Sequence, residues 1–160
     1  MLDILISTIG FLHVMFAIYL IGGGFFFEFI SKPQLMANLS PPDAGKVIMA
    51  SGQKFTILVY IAWAVIVVSG LYRVFFYMDY INHFDWFWTT DYGLVLVVKM
   101  LVVVVAFIIT LLITRTSKII ASLSPPERAP FVKKVSLYSR IQAVVGIVII
   151  FLAVTLRNGI

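Results

Sequence analysis

Four long apolar stretches dominate the chain: Ile4 to Ile30, Phe55 to Met78, Gly93 to Thr114 and Leu137 to Leu156. Each reaches or approaches the roughly 20 residues that an α-helix needs to cross about 30 Å of hydrocarbon. A backbone in hydrocarbon must satisfy its own N–H and C=O groups, which permits helices and closed barrels only. The stretches are near-continuous rather than alternating. The expected fold is therefore all-α, an integral-membrane antiparallel four-helix bundle spanning residues 1–160 as a single domain.

Composition agrees. The sequence is 62% hydrophobic and 12% charged, with a mean hydropathy of +1.08, so water is not its main solvent. Met1-Leu2-Asp3 lacks the basic region of a cleavable signal peptide, and the first apolar stretch is too long for one, so it reads as a retained helix. With no cysteine, disulfides, thiolate metal sites, c-type haem attachment and iron–sulfur clusters are excluded. The net charge of +5 does not point to nucleic acid, because the basic residues flank the spans and form no recognition motif.

The distribution of Lys and Arg predicts orientation. The first and third connections, with the adjoining helix ends, hold Lys32, Lys46, Lys54, Arg115, Lys118, Arg128, Lys133, Lys134 and Arg140. The second connection holds Asp79, Asp85 and Asp91 with no Lys or Arg, and the N-terminus is acidic. This places residues 33–53 and 116–136 in the cytoplasm and both termini outside, in a cell (inner or plasma) membrane. In the outer connection, Tyr80, Trp86, Trp88 and Tyr92 suit an interfacial aromatic belt, so residues 79–92 are expected to lie across the bundle mouth as a lid.

The two basic connections share a pattern at an offset of 84 residues: Ala-Asn-Leu-Ser-Pro-Pro-Asp at 37–43 and Ala-Ser-Leu-Ser-Pro-Pro-Glu at 121–127. A serine N-cap, proline in the first turn and an acid near the positive helix end form a start signal for the helix that follows. The same offset superposes span one on span three and span two on span four. Two repeated helical hairpins would have this property.

Polar side chains within hydrocarbon are costly and usually face the bundle interior. His13 lies about ten residues into span one, Arg73 about six before the outer end of span two, and Lys99 about seven into span three. At 1.5 Å per residue all three lie roughly 9–15 Å below the outer surface. They are expected to meet in one outer-leaflet site. On span one Gly10, Ala17 and Gly24 share a face beside His13, followed by Gly22-Gly23-Gly24; on span two Ala62, Ser69 and Gly70 share a face with Arg73. Small residues there either allow close helix packing or leave space for a flat cofactor. His83 in the outer connection is a further candidate metal ligand. Met15 and Met100 neighbour His13 and Lys99 in sequence, without the clustered spacing of a copper(I) relay. Glu28 and Arg140, near the cytoplasmic ends, are expected to pair with one another or with water. No phosphate loop, HExxH or Gly-x-Ser-x-Gly occurs.

Residues 90–99, Thr-Asp-Tyr-Gly-Leu-Val-Leu-Val-Val-Lys, resemble the Thr-Pro-Tyr-Gly…Lys helix start of the copper-resistance D (CopD-like) membrane domain, with Asp91 at the position of its proline. The Leu12-His13 helix running to Gly22-Gly23, and Gln142-Ala143-Val144-Val145-Gly146, are similar to the same family. More distantly, the chain resembles the HemJ-like membrane proteins, which bind haem b through a first-helix histidine and depend on a lysine in a later helix. Carried over, this implies His13 and Lys99 alone.

The leading expectation is a b-type haem-binding membrane protein for electron transfer, or a membrane anchor of a redox complex, with His13 on the iron and Lys99 or Arg73 pairing with propionates. Beside it stand a copper-handling membrane protein using His13 with Met15, Met100 or His83, and a cofactor-free structural subunit. The expected partners are the lipid bilayer and a redox protein or a second copy of the chain.

Overall fold

A computed structural model describes residues 2–77 and 84–157. Among them every long element is helical and none is a strand. Helix α1 (Leu2–Phe26) passes through a π-helical turn (Phe27–Ser31) into α2 (Lys32–Asn38), forming one continuous rod. Next come α3 (Pro41–Tyr72), a second π-helical turn (Arg73–Tyr77), the short α4 (Trp86–Thr89), α5 (Asp91–Ser122) and α6 (Pro125–Arg157). Four helices are long and apolar enough to cross a membrane, and the chain is a multi-pass membrane protein.

The helices run well past the apolar stretches, and the two basic connections shrink to sharp breaks. At the first break Leu39 (φ −120°, ψ 156°) and Ser40 (φ −59°, ψ 148°) are extended, and Leu123 (φ −91°, ψ 155°) is extended at the second. Proline causes this locally: it disfavours the α conformation in the residue before it, then suits the first helical position, where no N–H is needed. The capping expectation holds in part. Ser40 accepts backbone N–H bonds from Asp43 (3.0 Å) and Ala44 (2.9 Å) through its carbonyl, but its hydroxyl donates to the Asp43 carboxylate (2.6 Å) and does not cap the helix.

Helix α1 packs chiefly on α3, and α5 chiefly on α6. The close contacts are made by small residues, as expected where lipid is as apolar as leucine and helices associate by close approach. Ala62 is fully buried, and Ala106 and Ala143 nearly so. A central cluster joins Val59 and Trp63 of α3 to Ala106 of α5, with Leu20, Phe55, Val103, Val145 and Ile149 around it. Trp63 meets Phe107 edge-on at 5.2 Å. Large apolar side chains such as Ile18, Val68, Leu101 and Phe151 are exposed on the bundle surface, where acyl chains can solvate them.

The end of the bundle that carries His13 is closed by α4. Phe87 is buried with Val74 and Leu96, while Phe84, Trp86 and Trp88 stay exposed. Of the residues 79–92 expected to form a lid, Phe87 packs onto the bundle while Phe84, Trp86 and Trp88 do not, and 79–83 lie outside the described residues. Thr90 organises the junction: its hydroxyl donates to the Trp86 carbonyl (2.7 Å) and accepts from the Gly93 N–H (3.0 Å). Gly93 is there because α4 presses on it. A Cβ at this position would lie 2.1 Å from the Trp86 carbonyl oxygen and 2.7 Å from Phe87 Cα.

Those two contacts are with backbone, so α4 must move if a methyl group is added. Gly93→Ala is expected to lower the thermal midpoint of the detergent-solubilised protein, at an overpacking cost of about 1–3 kcal/mol. Gly24→Ala, where a Cβ meets nothing within 4 Å, is expected to leave the midpoint unchanged or slightly raised.

Candidate functional site

His13 of α1 lies against Ser69 and Gly70 of α3. Its Nδ1 is 2.9 Å from Ser69 Oγ, and the ring is so close to Gly70 that a Cβ there would be 3.3 Å from His13 Cε1. Ser69 Oγ is also within reach of two carbonyls, Val65 and Ile66 (3.2 Å to the latter). With its one proton it either donates to a carbonyl and accepts from His13 Nδ1–H, or donates to Nδ1 itself. In the first arrangement the Nε2 of His13 is an unprotonated lone pair, the form that ligates a metal or accepts a proton.

The two cations join this histidine. Arg73 lies over Gly10, its Nη1 3.8 Å from where a Cβ of Gly10 would be. The charges of Arg73 and Lys99 both act on His13, and that of Arg73 also reaches Lys99 and Tyr92. The three residues thus lie within reach of one another's charge at the end of the bundle closed by α4, but Arg73 is exposed where the sequence reading expected it to face the interior. The glycines beside them serve differently from the expectation of a vacant, cofactor-sized face. Gly10 makes room for Arg73, Gly70 for the imidazole and Gly23 for the Phe55 ring, while Gly22 and Gly24 face open space.

The softer donors do not converge. Met15 and Met100 lie on the exposed surface of the bundle, because one or two residues along a helix turn a side chain by about 100–200°. His83 lies outside the described residues. Among the described residues no group of three or more His, Cys, Asp or Glu could hold a metal ion.

Two further polar layers contain partners that the sequence reading did not single out. Midway along the bundle, Thr110 of α5 donates to the Ala106 carbonyl (3.0 Å) and accepts from Trp63 Nε1 (3.2 Å) and Gln142 Nε2 (3.4 Å). This saturates the hydroxyl and leaves Gln142 Oε1 buried without a hydrogen bond. At the end opposite His13, the π-helical turn after α1 buries Glu28 at 8% exposure. Lys32 reaches both of its carboxylate oxygens at 3.2 Å, and the Ser136 hydroxyl donates to Oε1 at 2.6 Å. The anticipated pairing with Arg140 is the outermost of these contacts, Nε to Oε1 at 4.0 Å. Sequence spacing pointed to neither Ser136 nor Thr110, since each is an isolated hydroxyl whose partner is on another helix.

The chain matches the family model of copper resistance protein D over residues 49–156. It belongs to that family. The matched segment carries Ser69, Arg73, Lys99, Thr110 and Gln142, and α1 with His13 lies ahead of it. Comparison with curated proteins and with solved structures finds no match. The HemJ-like part of the resemblance has no support among these comparisons.

Ser69 is the group that bonds Nδ1 of the imidazole. Ser69→Ala is expected to change the tautomer balance of His13, visible in the side-chain ¹⁵N shifts of the labelled protein. An unchanged spectrum would mean that another group holds the ring.

Proposed function

We propose that this chain handles copper at the membrane, with His13 as its metal-facing donor. The carrying observation is the copper resistance protein D match over residues 49–156, and His13 Nε2 supplies a donor that cuprous ion accepts when Nδ1 carries the proton. Copper is the cargo in this reading. One imidazole beside two cations holds a positive ion weakly, because Arg73 and Lys99 repel it. The site accordingly fits a transit contact better than a store, and His83 is a second ligand only as part of this proposal.

The test is copper(I) competition against a chromophoric chelator, with the purified full chain. Wild type is expected to take up copper weakly, His13→Ala to lose that uptake, and Lys99→Gln to bind several-fold more tightly once a repelling charge is gone. Ser69→Ala is expected to weaken binding by about 10–100-fold, as loss of a group that orients a ligating histidine generally does. Wild type without copper uptake would end the proposal.

A haem b held by His13 is the second reading, favoured by one observation: two cations beside an imidazole match the charge pattern of an iron with two propionates. It requires a Soret band that His13→Ala removes. A sample from haem-replete cells with no such band excludes it.

Membrane orientation belongs to the same proposal, with both termini outside and the Ser-Pro-Pro breaks in the cytoplasm of a cell membrane. In intact cells an impermeant maleimide is expected to label Asp85→Cys and to spare Ser122→Cys. The reverse pattern would invert the topology.

A further inference from the structure

We propose that α6 carries a binding site for the phosphate of an anionic phospholipid, built from Lys133 and Arg140 at the end of the bundle opposite His13. With Ser136 and Leu137 they line a cavity of about 270 Å³. Their spacing is i, i+3, i+4 and i+7, so they form one stripe along two turns of the helix. Leu137 opens the apolar stretch of span four, and the stripe therefore lies where hydrocarbon gives way to headgroups. The cavity is an open groove whose lining comes from α6 alone, and basic side chains at this depth attract anionic headgroups.

Charge accounting identifies which cations are available. Glu28 is the acid that faces this region, and the Lys32 ammonium spans both its oxygens at 3.2 Å with a side-chain exposure of only 16%. That buried pair is complete with its bond from Ser136. Arg140 touches the same carboxylate only at 4.0 Å and keeps a side-chain exposure of 68%, so its remaining N–H groups face outward. Lys133 makes no ion pair among the described residues. One carboxylate thus stands among three cations, Lys32, Lys133 and Arg140. The surplus of two positive charges lies on the cavity wall, where a phosphodiester accepts from a guanidinium and an ammonium. Glu28 has a second effect: by holding Ser136 and Arg140 toward α1, it keeps the stripe in one geometry.

The experiment is a thermal-unfolding titration of the full chain in a neutral detergent, with phosphatidylglycerol, phosphatidylcholine or inorganic phosphate as the probe. Phosphatidylglycerol is expected to raise the midpoint saturably and more than phosphatidylcholine. Lys133→Gln and Arg140→Gln are each expected to raise the half-saturating concentration by roughly fivefold. Both leave the Glu28–Lys32 pair intact, so their midpoints without lipid serve as the folding control. Equal protection by phosphatidylcholine, or a double variant with the wild-type response, would overturn the assignment. Equal protection by inorganic phosphate at the same concentration would show a free-phosphate site and overturn the lipid. If a single variant fails to fold, native mass spectrometry of the other decides by whether it retains phosphatidylglycerol.

Discussion

Hydrocarbon offers no hydrogen bonds, so each polar group carried into the membrane must find its partner on another helix or on its own backbone. That constraint organises this bundle more than hydrophobic burial does, since acyl chains solvate a leucine as well as a neighbouring helix would. The polar groups gather accordingly at three levels: His13 with Ser69, Arg73 and Lys99; Trp63 with Thr110 and Gln142; Glu28 with Lys32 and Ser136. The first and third tie α1 to its neighbours, which α1 otherwise meets through glycine and aromatic contacts. The second ties α3 to α5 and α6 within the central apolar cluster.

The three levels differ in how completely they are satisfied, and this separates structure from function. The Glu28 level is closed: carboxylate, ammonium and hydroxyl meet one another's needs, and the pair acts as a clamp between α1 and α6. The Thr110 hydroxyl is saturated, yet it leaves Gln142 Oε1 without a donor, an acceptor whose burial costs about 1–3 kcal/mol unless something donates to it. The His13 level is open by construction. Cations without a paired acid among the described residues, beside an imidazole on an apolar span, are costly features to retain without a ligand, which is why this end of the bundle is the candidate site.

The two π-helical turns have a shared consequence. Each inserts an extra residue into a turn and so rotates everything beyond it about the helix axis. One turn carries Glu28 into the interior near the end of α1, and the other begins at Arg73, where α3 approaches α1 and α5. At the first the rotation goes with a charged side chain, Glu28, being held inside; at the second Val74 is the buried residue and Arg73 stays exposed.

The sequence by itself determined the class of fold, because four apolar stretches of spanning length leave a chain few alternatives, and it determined the sharp breaks, because Ser-Pro-Pro acts through local sterics. It also singled out His13, Arg73 and Lys99 by their cost in lipid and expected them at one depth by counting residues along straight helices, but Arg73 is exposed in the folded bundle. What the tertiary structure decided is which way each helix faces. A helix that is apolar on every side has no amphipathic stripe to set its rotation, and the π-turns shift the phase of whatever follows them. Periodicity therefore could not show that Met15 and Met100 point away from His13, that Gly22 and Gly24 face outward, or that Gly10 is filled by Arg73. Nor could it pair Ser69 with His13 or Ser136 with Glu28, whose bonds join residues 56 and 108 positions apart and exist only once the helices have been rotated and packed.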